Sequence, residues 1–241
     1  MNIEAWYQTD VGLKREGNQD SYLVEPQLGL YIVADGMGGH RGGEVASEMA
    51  VKVVKEYVAE VKTTTPRLEP QKILSEAYHK ASRAIFDRSS QDANLRGMAT
   101  TMVTALHREN KVYIGNVGDS RAYLLSPPGL WQITEDHSLF NEQLKAGLIR
   151  NITREQFEGK NIITKSVGFE ADVNCDVTEV QLSKGQIIVL CSDGLSGLIT
   201  DQCLAEICLT LRPESAVPRL IAEAKKNGGD DNVTVVLLRV T

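Results

Sequence analysis

Residues 32–40, which read IVADGMGGH, are the stretch that decides the fold. Apolar residues lead up to Asp35, and the chain then becomes rich in glycine before a helix-like segment begins near Gly43. A run of Ile, Val and Ala is typical of a buried β-strand, and glycines let the backbone turn sharply after it. This pattern predicts a strand that places a carboxylate at its end, where the side chain gains little from packing.

Acidic residues stand at strand ends in three other places. They are Asp119 after YIGNVG, Asp193 after IVLCS, and Asp230 and Asp231 before NVTVVLL. One Asp-Gly is usually only a turn, but four acidic strand ends indicate a common site. Converging carboxylates repel one another unless a cation lies among them. Hard oxygen ligands favour Mg²⁺ or Mn²⁺, and the few His and Cys residues are not spaced as a zinc set.

The glycine-rich loop after Asp35 has a second interpretation, as a phosphate-binding loop of a nucleotide site, because it leads into the start of a helix. It lacks the GK[ST] ending of a P-loop and the GxGxxG spacing. The aspartate at its head favours a metal site. In that case the backbone of Gly36, Gly38 and Gly39 comes close to an ion or a phosphate.

Periodicity predicts an α+β protein. Apolar residues recur at helical spacing in residues 43–60 and 70–86, namely Val45, Met49, Val53, Tyr57 and, just beyond, Val61, and Ile73, Ala77, Ala81 and Ile85. Two more helices are predicted near 200–210 and 214–227. Eight segments rich in Val, Ile, Thr and Tyr read as strands. Short turns such as HRENK and VGDS predict hairpins, hence mainly antiparallel sheets packed together with helices outside.

Composition limits the function. With 241 residues, 42% of them hydrophobic, the chain can bury a sizeable core, and no repeat or linker divides it, so we expect one domain over residues 1–241. A net charge of -6 argues against general affinity for nucleic acid or anionic membranes. The sequence has no apolar run of about 20 residues and no leader-like start. We therefore expect a cytoplasmic location and no membrane partner.

Six motifs occur in a characteristic order. They are REGNQD at 15–20, DGMGGHRGGEVAS at 35–47, NVGDSRAY at 116–123, TEDHS at 134–138, CSDGL at 191–195 and GGDDNVTVV at 228–236. Together they resemble the bacterial type 2C metal-dependent Ser/Thr protein phosphatases over nearly the full length. The resemblance implies an α-β-β-α sandwich of two mainly antiparallel sheets with helices on both outer faces.

The resemblance also implies a set of metal ligands. Asp35 would bridge two catalytic Mg²⁺ or Mn²⁺ ions, with the carbonyl of Gly36 on the second ion. Asp193 and Asp231 would complete the first. Asp119, together with Asp193, matches a third, weaker metal site of bacterial members.

Further roles follow from the same resemblance. Asp20 would hold metal-bound water, and Arg15 would bind the substrate phosphate, for which a guanidinium is better suited than the ammonium of Lys14. A hydroxide that bridges the two ions would attack phosphorus in line, without a phosphoenzyme. His40 has two interpretations: contact with the substrate or proton transfer to the leaving oxygen, and simple packing of the loop.

Residues of about 138–165 occupy the position of the family's flap, a segment over the active site that governs substrate access. Two departures from the family pattern affect this region and its surroundings: EGKNIITKSVG lacks a preceding His-Pro, and Ala99 replaces a usual glycine. Neither touches a metal ligand. His137 is interpreted as structural, and Asp230 as a solvated neighbour of the ligand Asp231.

The predicted function is hydrolysis of phosphoserine and phosphothreonine on proteins. The partners expected are phosphorylated proteins and an opposing Ser/Thr kinase, and the protein is expected to be a monomer. The alternative is a catalytically silent relative that binds phosphoproteins, although such a relative would usually have lost a ligand. The sequence does not identify the substrate.

Overall fold

The computed structural model describes residues 1–38, 42–127 and 129–241, apart from the side chain of Glu155. His40, one of the predicted site residues, lies outside this part. The strands are β1 Ile3–Asp10, β2 Asp20–Glu25, β3 Leu30–Met37, β4 Ala99–Thr100, β5 Met102–Arg108, β6 Lys111–Val117, β7 Arg121–Ser126, β8 Gly129–Gln132, β9 Asp176–Gln181, β10 Ile187–Cys191 and β11 Val233–Val240. The α-helices are α1 Gly42–Thr64, α2 Pro70–Gln91, α3 Leu139–Lys145, α4 Asp193–Ser196, α5 Asp201–Thr210 and α6 Pro213–Lys226.

The strands form two sheets. One has the order β1-β11-β10-β7-β8, and the other has the order β2-β3-β5-β6-β9, with β4 paired to β3. Every strand pair within the described residues is antiparallel. The prediction of mainly antiparallel sheets is confirmed.

Alternation of side chains along β3 shows how the layers are built. Tyr31 and Val33 pack in the core between the two sheets, whereas Leu30, Ile32 and Ala34 pack against α1 and α2. Because neighbouring side chains of a strand point to opposite faces, a strand between two apolar layers must be apolar throughout. Strand β11 alternates in the same way between the inter-sheet core and a third cluster under α4, α5 and α6. The predicted α-β-β-α sandwich is therefore confirmed.

The long helices agree with their predicted spans, but the buried face of α1 differs in detail. Val45, Met49 and Val53 are only partly buried, and the helix instead buries Ala46, Ala50 and Val54 fully. Small alanine side chains bring α1 close to the sheet, and the larger residues cover the edges of that contact. The predicted core face of α2 is confirmed, because all four of its predicted apolar residues are buried.

The sequence pattern does not indicate strands β1 and β8, and the prediction of a hairpin at VGDS is wrong. HRENK does connect the paired strands β5 and β6. VGDS, in contrast, joins β6 of one sheet to β7 of the other and is therefore a crossover and not a hairpin. Asp119 lies on this crossover, between the two sheets. A short turn alone does not reveal whether the strands beside it share a sheet.

None of the helices in the described residues combines the length and the apolar character needed to cross a membrane.

Candidate active site

The acidic strand ends meet at one cleft of about 290 Å³. Asp35, Asp119, Asp193 and Asp231 all line it. They come from the end of β3, from the crossover between the sheets, from the start of α4 after β10, and from the turn before β11. The structure therefore brings together the four acidic strand ends that the sequence pattern singled out, and we call them the cleft aspartates.

Asp20 lies behind this group and is placed by sheet register. Strands β2 and β3 pair so that Asp20 is directly opposite Asp35. Its Oδ2 accepts hydrogen bonds from the hydroxyls of Ser192, at 2.8 Å, and Thr234, at 2.6 Å. Burial raises the pKa of Asp20 to about 7, although these two hydrogen bonds act against the shift. The carboxyl group is thus fixed by neutral donors while its charge is poorly stabilised.

Asp35 is held through its backbone. The carbonyl of Asp35 accepts hydrogen bonds from the amide of Thr101 and the hydroxyl of Thr100, both at 2.8 Å. The amide of Asp35 donates to the hydroxyl of Thr101 at 3.1 Å. Both threonines are completely buried. The backbone of Asp35 is therefore fixed, and its carboxyl group lines the cleft.

The charges in the cleft destabilise one another. Burial raises the pKa of Asp35 well above its usual range, and the negative charges of Asp20 and Asp193 raise it further. Burial also raises the pKa of Asp119 to about 7, and the charge of Asp193 adds to this shift. Burial and the charge of Asp231 raise the pKa of Asp193. In the protein alone, too little positive charge lies near these carboxyl groups to balance their negative charge.

Carboxylate oxygens without a partner indicate what kind of ligand would balance the negative charge of the cleft. One oxygen each of Asp20, Asp119 and Asp193 is buried without a hydrogen-bond partner. Among the described residues, no three His, Cys, Asp or Glu side chains form a ligand cage by themselves. An ion would therefore also need backbone and water oxygens, which is how Mg²⁺ usually binds. Buried, unsatisfied carboxylates of this kind fit a hard divalent cation.

The glycines after two of the aspartates permit close backbone contacts. A Cβ at Gly36 would lie 2.0 Å from the carbonyl oxygen of Gly43, at the start of α1. A Cβ at Gly194 would lie 1.9 Å from the carbonyl oxygen of Asn232. Any side chain at either position would push its strand end away from the neighbouring backbone. A glycine follows each of these two aspartates because the backbone at that position packs directly against another backbone segment at the cleft.

Two basic residues of the first loop face the turn before β11. Arg15 pairs with Asp231 at 2.7 Å, and Lys14 pairs with Asp230 at 2.6 Å. The side chain of Arg15 is 52% exposed, so it can leave Asp231 for an anion that enters from solvent. Arg15 lines the cleft and Lys14 does not.

Asn232, which also lines the cleft, connects two parts of the chain that are far apart in sequence. Its amide nitrogen donates to the carbonyls of Val11 and Gly17, and its amide oxygen accepts from the backbone of Gln19. It therefore ties the loop that carries Arg15 to the start of β11. The sequence signal was its place beside Asp231, but a bond to a loop more than 200 residues away has no local pattern.

The segment predicted to be the flap contributes residues that the sequence motifs do not single out. Asn161 and Ile163 line the cleft. Arg154 contacts Asp119 at 3.2 Å and Asp136 at 3.3 Å. The structural interpretation of His137 is supported by two hydrogen bonds with Gly118. The amide of His137 donates to the carbonyl of Gly118, and the ring Nδ1 of His137 accepts from the amide of Gly118.

Comparison with known proteins agrees with this geometry. A sequence profile described as Protein phosphatase 2C matches residues 14–226. The chain belongs to the protein phosphatase 2C family. The chain is 37% identical over 240 residues to the serine/threonine phosphatase stp of Listeria monocytogenes, covering 98% of this chain and 95% of the relative. The predicted family membership is confirmed.

Solved structures of similar proteins extend the match to the fold. The Mycobacterium tuberculosis serine/threonine phosphatase PstP/Ppp superposes with a TM-score of 0.91 at 30% identity, covering 100% of this chain and 99% of that one. A catalytic domain of PstP in complex with two manganese ions superposes with a TM-score of 0.86 at 31% identity, covering 99% of each chain. This phosphatase 2C protein is a metal-dependent serine/threonine protein phosphatase, and a silent binding role is not supported.

Proposed function

We propose that this phosphatase hydrolyses phosphoserine and phosphothreonine on proteins by direct attack of water on phosphorus, at the cleft formed by the strand ends. The observation that carries the proposal is the convergence of the cleft aspartates beside Arg15, with three buried carboxylate oxygens free of partners. The divalent ions would supply the positive charge that the carboxylates lack, and the substrate phosphate would replace Asp231 as the partner of Arg15.

The cleft aspartates are the proposed metal ligands. Asp35, the carbonyl of Gly36, Asp193 and Asp231 would hold the two catalytic ions, and Asp119 with Asp193 would hold a third, weaker ion. Mg²⁺ and Mn²⁺ both suit such oxygen ligands. When bound, the ions would act as Lewis acids at the phosphate and lower the pKa of water so that it becomes a nucleophile at neutral pH.

The protein side chains have separate tasks in this proposal. Arg15 would exchange Asp231 for the phosphate and donate hydrogen bonds to two of the phosphate oxygens at once. Asp20 orients the attacking water through its free Oδ1, because its other oxygen is engaged by Ser192 and Thr234. His40 is retained as a candidate for contact with the substrate or for protonation of the leaving oxygen.

A covalent route through cysteine has no support among the thiols. Burial raises the pKa values of Cys175, Cys191 and Cys208 to about 12 in each case, so these side chains are protonated at neutral pH. None of the three lines the cleft. Direct hydrolysis needs no such nucleophile.

We also propose the wider setting. Residues 1–241 form one catalytic domain, with residues of about 138–165 as its flap. The inter-sheet core supports this, since both sheets contribute to it. The protein acts as a monomer in the cytoplasm and opposes a Ser/Thr kinase, and all four cysteines are free thiols, as expected in a reducing compartment.

The test is release of phosphate from a phosphothreonine peptide by metal-stripped protein, titrated with Mn²⁺ and, separately, with Mg²⁺. Asp231→Asn should abolish metal-dependent release, and Asp230→Asn is the matched control because Asp230 is the adjacent carboxylate and does not line the cleft. Activity that survives thorough chelation would overturn the proposal. Folded protein that binds Mn²⁺ and phosphopeptide without hydrolysis would revive the silent interpretation.

A further inference from the structure

A row of side-chain hydrogen bonds runs from the loop between β1 and β2 to the carboxyl group of Asp20. Nδ2 of Asn18 donates to the hydroxyl of Thr9 at 2.7 Å, and the hydroxyl oxygens of Thr9 and Thr234 are 2.7 Å apart. The hydroxyl of Thr234 donates to Oδ2 of Asp20 at 2.6 Å. Thr9 and Thr234 are directly opposite each other in the paired strands β1 and β11. We call Asn18, Thr9 and Thr234 the hydroxyl chain.

The orientation of the Asn18 amide group fixes the first donor of the hydroxyl chain. Oδ1 of Asn18 accepts a hydrogen bond from the backbone amide of Asp20 at 3.1 Å. A backbone N–H can only donate, so the oxygen of the Asn18 side chain must lie on this side. The NH₂ group of Asn18 therefore faces Thr9 and donates to it.

Only one arrangement of the hydroxyl protons fits both ends of the hydroxyl chain. The NH₂ group of Asn18 can only donate to Thr9, and an ionised Asp20 can only accept from Thr234. Because each hydroxyl has a single proton, Thr9 must donate to Thr234, and Thr234 must donate to Asp20. Hydrogen bonds that follow one another in this way also polarise and strengthen one another. The proton of Thr234 is thus directed to Asp20 by residues farther along the hydroxyl chain.

Ser192 provides Asp20 with a second hydroxyl whose direction is also fixed. Its oxygen accepts from the backbone amide of Thr234 at 3.0 Å, and its proton goes to Oδ2 of Asp20 at 2.8 Å. Ser192 and Thr234 are both fully buried. Oδ2 of Asp20 therefore receives two protons, while Oδ1 is buried without a partner. Rotation of the carboxyl group would break both hydrogen bonds, so the two hydroxyls determine where Oδ1 lies.

We propose that Thr9 and Asn18 are positioning residues for the reaction, because they direct the proton of Thr234 to Oδ2 of Asp20 and so hold Oδ1 toward the attacking water. The inference rests on the proposed function, in which Asp20 orients that water. Asn18 belongs to the same loop as Arg15. The hydroxyl chain therefore also connects the loop that binds the substrate phosphate to the carboxyl group that directs the nucleophile.

Kinetics of peptide dephosphorylation with Mn²⁺ provide the first test. Thr9→Val removes the hydroxyl at nearly constant shape, so kcat should fall about 10-fold while KM stays within about 2-fold of wild type, because Thr9 does not touch the substrate. Thr9→Ser keeps the hydroxyl and should restore most of kcat. Thr104→Val is the matched control, since Thr104 is a buried strand threonine whose hydroxyl contacts Tyr78. Wild-type kcat in Thr9→Val, or an equal loss in Thr9→Ser, would overturn the inference.

A double variant tests whether Thr9 acts through Thr234. Thr234→Val should lower kcat more than Thr9→Val does, because it removes a hydrogen bond to Asp20 itself. Addition of Thr9→Val to Thr234→Val should then lower kcat by less than about 2-fold further, since the hydroxyl chain is already broken at its last step. Losses that multiply in the double variant would mean that the two threonines act independently, contrary to the inference.

The hydroxyl protons of metal-free protein provide a test that requires no catalysis. NMR at about pH 8, where Asp20 is largely ionised, should show that the hydroxyl protons of Thr9 and Thr234 exchange slowly with water, because each is donated within the protein. In Thr234→Val, the hydroxyl of Thr9 loses its acceptor, and its proton should exchange faster. In Thr9→Val, the proton of Thr234 should stay slow because Asp20 still accepts it. The reverse pattern would show that the protons point away from Asp20 and that the inference is wrong.

Failure of the inference can be distinguished from failure of the proposed function. If wild type releases phosphate with Mn²⁺ and Thr9→Val behaves like Thr104→Val, only the role of the hydroxyl chain is wrong. If wild type shows no metal-dependent release, the proposed function fails, whatever the direction of the hydroxyl protons.

Discussion

The cleft floor and the flap bring polar residues to the same place by different means. The cleft floor, as we call the strand ends that carry Asp20, Asp35 and Asp193, is fixed by paired strands, close backbone contacts and buried hydroxyls. The flap has a seven-residue helix, α3, with no buried residue, and the guanidinium of Arg154 pairs with Asp119 and Asp136 beside the floor. The sheets position the cleft floor, whereas side-chain contacts of this kind connect the flap to the rest of the protein.

The difference indicates a division of tasks. The residues proposed as metal ligands lie on rigid elements, as a site of precise geometry requires, and the segment proposed as the flap lies in a loop that is free to change. Substitutions in the cleft floor should therefore affect the reaction or the whole fold. Substitutions in the flap should act locally.

Asp35→Asn is the change with the largest expected effect. Removal of the proposed bridging carboxylate should lower activity at least about 1000-fold, equivalent to roughly 4 kcal/mol of transition-state stabilisation. The metal-free variant should nevertheless be at least as stable as wild type at pH 7.5. The reason is that burial and neighbouring charges raise the pKa of Asp35, so its charge costs folding energy. Peptide dephosphorylation and thermal melts measure the two effects.

A loss of activity accompanied by an equal loss of stability would contradict this prediction, because it would mean that Asp35 acts through the fold. Asp230→Asn serves again as the control, with both properties near wild type.

Gly36→Ala should have the next largest effect. The added Cβ would lie 2.0 Å from the carbonyl oxygen of Gly43, so β3 and α1 must separate at the cleft. We expect a loss of about 3 kcal/mol in the free energy of unfolding, at the upper end of overpacking effects. The matched control is Gly17→Ala, since a Cβ there meets no atom within 4 Å and the position is close in the chain. Equal stability of the two variants in urea would disprove the steric argument.

Much of this floor could be predicted from the sequence because it depends on regular structure. The apolar runs before Asp35 and Asp193 gave two strand ends directly, and their glycines indicated close backbone approach. The order of motifs supplied the rest of the ligand set. What failed was the connection after Asp119, because a four-residue turn looks the same within a sheet and between sheets.

The flap contacts could not be predicted in the same way. Arg154 meets Asp119 across 35 residues of sequence, and no periodicity links an arginine in an irregular loop to a carboxylate on a crossover. Asn232 was missed for the same reason. Side-chain bonds that join loops carry no local signal, and they matter most where the two sheets come together.

The pH dependence of stability comes third. The pKa values of Asp20 and Asp119 are raised to about 7 from the usual 3.8, so the folded protein binds more protons than the unfolded chain between these values. The contribution is present below pH 3.8 and is lost as pH rises through about 7. Metal-free protein should therefore lose about 5 °C in Tm between pH 5 and pH 8, roughly 2 kcal/mol for a chain of this size.

Two further measurements sharpen this prediction. Asp119→Asn should flatten the decline, because one of the carboxyl groups with a raised pKa no longer titrates, while all other groups are shared with wild type. Saturating Mn²⁺ should also flatten it, since a bound cation favours the ionised carboxylates. A Tm that rises with pH in metal-free protein would contradict the sign of the effect.

Phe157→Ala should have the smallest effect on overall stability and tests whether the flap behaves as a separate unit. Phe140 and Phe157 contact each other edge to face, with ring centroids 5.5 Å apart, and both are only partly buried. Loss of this contact should cost less than about 1 kcal/mol in global unfolding, yet flap amides should exchange faster because the segment opens locally. Leu148→Ser is the control, as its side chain is 75% exposed and should change neither property. The flap would be part of the core if exchange became faster throughout the protein and not only in the flap, or if the global loss were as large as that of Gly36→Ala. Either result would show that the contrast with the cleft floor is false.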